Sequence, residues 1–157
     1  MNSKRPGTSS KAEYYFAFGS NMDEDNLRSR VGDVELVGVG RLPDHRLVFN
    51  RRGTHRAGGV SSVEPRKGAF VYGVVWVLSS AQFAKLDKIE NPAAYERKTA
   101  TIEMMDGRKE LSCNIYIAYP VGQFEADQEY LKLLIGAATH HHLPRHYVRK
   151  LRSFIAG

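Results

Sequence analysis

The chain has one cysteine, Cys113, in 157 residues. A single thiol excludes an internal disulfide and fits a reducing, cytoplasmic setting. It also lacks a long apolar run: no stretch approaches the ~20 residues that span a bilayer, so no membrane partner is expected. Residues 1–13 are polar and basic with no apolar segment behind them, and they read as a disordered tail rather than a secretory signal. Clustered metal ligands are scarce. His140-His141-His142 are adjacent and fan around any helix axis. His142 and His146 have ligand spacing, but Pro144 lies between them and no cysteine or carboxylate cluster joins them, so no metal is called for. Beyond the tail there is no low-complexity segment, and there is no internal repeat.

What remains suits one globular domain over residues 14–157. The hydrophobic fraction of 42% is enough for a real core, and the length is that of a single domain. The net charge is +6. Much of the excess sits in Arg51, Arg52 and Arg56, and in Arg145, Arg149, Lys150 and Arg152. Charge of this size more often solvates a surface than binds nucleic acid, and no aromatic-rich recognition motif accompanies it, so no nucleic-acid partner is expected.

The most informative stretch is Tyr14-Tyr15-Phe16-Ala17-Phe18-Gly19-Ser20-Asn21. Its first five residues, rich in rings, read as a buried strand. Gly19-Ser20-Asn21 then favours a turn, and Asp23-Glu24-Asp25 ahead of Leu27 reads as the acidic first turn of a short helix. Such a strand–turn–helix junction leaves backbone N–H groups pointing outward, able to hold a carboxylate.

Further along, the residues from Val34 to Leu42 and from Arg46 to Phe49 read as strands separated by a turn at Pro43-Asp44. Arg51 to Gly59 reads as a loop. Val60 to Val63 is a short strand stopped by Pro65. Ala69 to Leu78 is the most strongly β-forming run, and its near-continuous apolarity implies burial on both faces. Ser79 and Gln82 have capping-box spacing for a helix that runs to about Glu90, since Pro92 forbids much continuation. Tyr95 to Met105 and Lys109 to Tyr119 are strands joined at Asp106-Gly107, a hairpin signal. Helices follow from Ala126 to His141 and from about Pro144. Cys113 shares a strand face with Leu111, Ile115 and Ile117 and reads as a buried thiol. Six or seven strands and four helices without βαβ alternation give an α+β fold. The expected form is a small mixed or antiparallel barrel with flanking helices.

Glu90 is the candidate for chemistry. At 100° per residue it falls between Phe83 and Leu86 on the helix wheel, on the inward stripe, where a carboxylate is rarely left unless paired or used. It also sits at a helix C-terminus, three residues from Asp87. Burial, dipole and neighbour all favour the protonated acid, so a raised pKa and a general acid/base role are expected.

Tyr15-Phe16-Ala17-Phe18-Gly19-Ser20-Asn21-Met22 resembles the YFAYGSNL signature of gamma-glutamylcyclotransferases, with Phe18 in place of tyrosine and Met22 in place of leucine. The resemblance continues through Gly58-Gly59-Val60, Tyr72-Gly73-Val74-Val75-Trp76, Leu86-Asp87-Lys88-Ile89-Glu90-Asn91 and Leu143-Pro144-Arg145-His146-Tyr147. It implies an enzyme that cyclises a γ-glutamyl group to 5-oxoproline and releases the attached amine, an intramolecular aminolysis of acyltransferase or amine-lyase type. It further implies that Phe18, Gly19, Ser20 and Asn21 hold the glutamyl α-carboxylate through backbone N–H groups. Glu90 is then the catalytic acid/base, Tyr95 and Tyr119 contact a small γ-glutamyl substrate, and no cofactor is needed. The competing reading keeps the fold without catalysis, as a basic binding module for an anionic partner through Arg145, Arg149 and Arg152. Oligomeric state is not legible.

Overall fold

The computed structural model describes residues 12–52, 58–107 and 110–156. Five strands close into a barrel in the order β1-β3-β2-β4-β5. They are β1 (Ala12–Ala17), β2 (Glu35–Arg52), β3 (Gly59–Ser79), β4 (Tyr95–Met104) and β5 (Glu110–Ala118). Four joints are antiparallel. The fifth is parallel and joins β1 to β5 at Tyr15 and Asn114, so the barrel is mixed. Four helices flank it: α1 (Glu24–Val31), α2 (Ser80–Glu90), α3 (Gln128–His140) and α4 (Arg145–Arg152). Among the described residues no helix is long and apolar enough to cross a membrane.

Among the described residues the expected strand count of six or seven is corrected to five. Pro43-Asp44 does not reverse the chain, and Pro65 does not stop a strand. Instead β2 and β3 form one long hairpin ladder that passes both prolines at a bulge, where Pro43 pairs with Phe70 and His45 with Pro65. Asp44, at φ 59, takes the strain on β2, and its Oδ1 accepts from the Gly68 amide at 2.9 Å. A bulge lets a ladder absorb residues without an amide to offer and then resume. The strands also begin and end differently from expectation. β1 starts at Ala12, within the stretch read as tail, and β2 runs through Arg52, inside the stretch read as loop. Arg56 and most of the tail lie outside the described residues.

Local signals produce local structure where they act over a few residues. The Ser79 hydroxyl accepts from the Gln82 amide at 3.1 Å while Gln82 Oε1 accepts from the Ser79 amide at 2.9 Å, closing the capping box of α2. The Gln82 side-chain amide also reaches the carbonyls of Val31 and Asp33, tying α2 to the end of α1. Val71 to Trp76 are all buried, as the two-faced apolar run predicts: one face fills the barrel and the other packs under the helices. Cys113 is fully buried, and burial pushes its thiol up to about 12.

Candidate active site

One end of the barrel opens into a cleft of about 640 Å³, within the usual range for small-molecule sites. Four sets of residues build it. The first is the end of β1 with the residue after it: Phe16 on the strand and Phe18 beyond it are buried, and the chain leads into a single 3₁₀ turn at Ser20–Met22. That turn closes on itself, with the Met22 amide donating to Gly19 O at 3.0 Å and the Asp23 amide to Ser20 O at 3.1 Å. The Gly19 and Asn21 amides are used by none of the hydrogen bonds among the described residues, and both residues line the cleft.

The second stretch is the end of α2, which delivers Glu90 to the same cleft. Asn91 ends the helix in a left-handed conformation, φ 62, so the chain turns away just after Glu90. Burial raises the Glu90 carboxyl above the ordinary range, and the Arg30 guanidinium pulls it part of the way back. The direction is the expected one, but Asp87 is not among its causes. The Asp87 carboxylate is turned to Tyr116 Oη at 2.6 Å and to Arg97 Nε at 2.9 Å.

Third come the tyrosines. Tyr95, at the start of β4, lines the cleft, and burial pushes its hydroxyl upward. Tyr15, Tyr116 and Tyr130 line it as well, each likewise raised chiefly by burial. These phenols stay neutral, so Glu90 is the lining group suited to move a proton near neutrality. Tyr130 reaches the cleft floor from α3. Its hydroxyl and the Ser61 Oγ lie 2.7 Å apart, directly beneath Gly19, where an added Cβ would meet them at 2.6 and 2.8 Å.

Arg30, Arg51 and Arg52 make up the fourth contribution. None of the ion pairs formed among the described residues involves them. Arg51 Nη1 donates to Tyr119 O at 3.0 Å, and Arg52 sits over the Phe124 ring at 5.4 Å. The cleft therefore presents fixed positive charge to an entering anion.

Of the residues expected at the site, Glu90, Phe18, Gly19, Ser20, Asn21 and Tyr95 converge on the cleft. Tyr119 does not line it. It follows the end of β5 at Ala118 and is 46% exposed. Tyr116, on the strand proper, faces the cleft in its place. Tyr130, Ser61 and Arg30 carry no local signal of a site: Tyr130 looks like one more core residue of α3, and its partner Ser61 is 69 residues away. Among the described residues there is no group of three histidine, cysteine or acidic side chains able to share a metal ion.

The family model described as gamma-glutamyl cyclotransferase, AIG2-like, matches residues 15–136 of the chain. A gamma-glutamylcyclotransferase of Bos taurus is 30% identical over 145 residues, covering 88% of this chain and 77% of the bovine protein. The protein of the same name from Homo sapiens is 28% identical over 156 residues, with coverage of 94% and 81%. A solved gamma-glutamyl cyclotransferase structure superposes with a TM-score of 0.87 over 94% of this chain and 90% of that one, at 24% identity; this likeness speaks for the fold.

Proposed function

The chain belongs to the gamma-glutamyl cyclotransferase family, AIG2-like, and on that footing we propose that it cyclises a γ-glutamyl compound to 5-oxoproline with Glu90 as general acid/base. The observation that carries this reading is the meeting of a half-buried carboxyl group, raised by desolvation, and two uncommitted main-chain amides in one cleft. The amides of Gly19 and Asn21 receive the substrate's α-carboxylate. Its α-amine then lies toward Glu90.

The reaction needs no protein nucleophile. The substrate's α-nitrogen attacks its own γ-carbonyl carbon, the new C–N bond closes a five-membered lactam, and the old amide C–N bond breaks. The substrate's α-ammonium, with a pKa near ~8, gives one proton to solvent before it attacks, and the attacking nitrogen then sheds a second. Glu90, ionised, takes that proton and returns it to the departing amine. Holding the α-carboxylate folds the side chain toward the ring, and well-oriented intramolecular reactions gain up to ~7–11 kcal/mol in this way. Burial of the acid serves this cycle, because a carboxyl group raised toward neutrality both accepts and gives a proton readily.

The cations at the rim bear on the leaving half. Arg51 and Arg52 favour a leaving amine that carries a carboxylate over a neutral one. We expect γ-glutamyl-alanine to give 5-oxoproline and alanine in equal amounts. The double variant Arg51→Gln/Arg52→Gln is expected to raise KM for γ-glutamyl-alanine by about tenfold, the worth of a charge-assisted contact, and to leave γ-glutamyl-ethylamine within about twofold. Release of glutamate in place of 5-oxoproline would rule out cyclisation. Equal effects on both substrates would remove the arginines from recognition and leave the reaction intact.

A further inference from the structure

The carboxylate-holding turn is anchored from behind, and the anchors are not part of the cleft lining. Three successive carbonyls of the turn each accept from a side chain outside it. Ser20 O accepts from Asn26 Nδ2 at 3.2 Å, Asn21 O from Trp76 Nε1 at 3.1 Å, and Met22 O from a ring nitrogen of His141 at 2.8 Å. A carbonyl can only accept, so His141 Nε2 carries the hydrogen. In a trans peptide the C=O and N–H point opposite ways. Each carbonyl shares its peptide with the next residue's amide, so the Met22 C=O held by His141 fixes the Asp23 amide, which donates to Ser20 O; the Ser20 C=O, held there and by Asn26, in turn points the Asn21 amide the other way, where Asn21 lines the cleft.

His141 occupies a particular place in this arrangement. It is the C-cap of α3, with its own amide bonded to Ala137 O at 3.0 Å, so its ring is carried on a rigid base. The ring packs edge-on to Trp76, with centroids 5.8 Å apart and planes at 86°. The two N–H donors are thereby locked to each other as well as to the turn. The same helix sends Tyr130 beneath Gly19 near its other end. One helix thus braces the turn at both of its ends. The histidine cluster that a sequence reading weighs as a metal site is divided by this: His141 is committed to Met22, and His140 only stacks against it, centroids 5.1 Å apart.

Resting on the cyclotransferase reading above, we infer that His141 is a positioning residue: through Met22 O, the Asp23 amide and Ser20 O, its Nε2–H fixes the Asn21 amide in the orientation that grips the substrate's α-carboxylate. The grip is the same in ground and transition states, so its loss falls on KM rather than kcat.

The test uses the full chain with γ-glutamyl-alanine and compares wild type, His141→Phe and His141→Gln. Phenylalanine keeps the edge-on packing and removes the donor, and glutamine returns an N–H at similar reach. We expect His141→Phe to raise KM about tenfold with kcat within about twofold, and His141→Gln to bring KM back to within about threefold of wild type. Should the phenylalanine variant fail to fold, His141→Asn, polar but too short to reach Met22 O, takes its place with the same expectation. An unchanged KM, a fall in kcat without a rise in KM, or a glutamine variant no better than phenylalanine would overturn the inference. Failure of the cyclotransferase reading looks different: wild type itself would then release no 5-oxoproline, and the inference would fall with it.

Discussion

Glu90→Gln is expected to slow 5-oxoproline release by about 10²–10⁴-fold, the usual worth of a positioned acid/base, while leaving the fold intact. Glutamine matches the carboxyl group in size and cannot move a proton. The acidic limb of the wild-type kcat/KM profile is expected above the ordinary glutamate value of 4.5, because burial raises the Glu90 carboxyl. That limb should vanish in whatever activity the variant retains. Stability gives an independent reading of the same group. The folded protein holds the Glu90 proton to higher pH than the unfolded chain does. The stability contribution of the protonated form is present below the unfolded value and is lost as pH rises through the folded one. The variant never bears that charge, so its Tm relative to wild type should climb between pH 4 and pH 7. A full-rate variant, or a Tm difference that is flat with pH, would mean that Glu90 is neither the base nor buried as an acid.

Gly73→Ala carries the second large effect, this time on the scaffold. Gly73 lies on β3 where β1 crosses closest. A Cβ there would run into the backbone oxygen of Ala17 and meet the Phe16 ring at 2.9 Å. Phe16 is fully buried and cannot step aside, so the backbone of β1 must shift. Overpacking of this kind costs about 1–3 kcal/mol, or a Tm lower by roughly 2–12 °C for a domain of this length. The shift arises at Ala17, two residues before Gly19, so KM for a γ-glutamyl substrate should rise together with the loss of stability. Thermal unfolding and steady-state kinetics on the same preparation check both halves. An unchanged Tm would mean that β1 is not held as tightly against β3 as the register implies.

These two residues mark where the sequence was legible and where it was not. Glu90 could be placed from the chain alone because helix periodicity acts over a turn or two, and Phe83 and Leu86 define the buried side. The capping box at Ser79 and the reversal at Asp106-Gly107 are legible for the same reason: a few adjacent residues settle them. The passage of β2 and β3 across Pro43 and Pro65 was not legible. Proline and aspartate signal a turn locally, and only the partner strand, twenty or more residues away, converts that signal into a bulge. The floor of the cleft was hidden for a related reason. Tyr130 and Ser61 meet across 69 residues, and neither has a neighbour pattern that separates a site residue from a core one. Tyr119 shows the converse. Residue type suggested it, and the end of β5 at Ala118 carries it out of the cleft and leaves Tyr116 inside.

The claim beneath the whole account is that a glutamyl α-carboxylate sits on the Gly19 and Asn21 amides opposite Glu90. Titrating 5-oxoproline, which keeps that carboxylate, into ¹⁵N-labelled protein tests it most directly. The account predicts saturable amide shifts largest at Gly19, Ser20 and Asn21, with smaller ones at Glu90 and Tyr95. Shifts confined instead to another cleft, lined by Phe49, Phe124 and Phe154, or no saturable shifts at the turn, would contradict it.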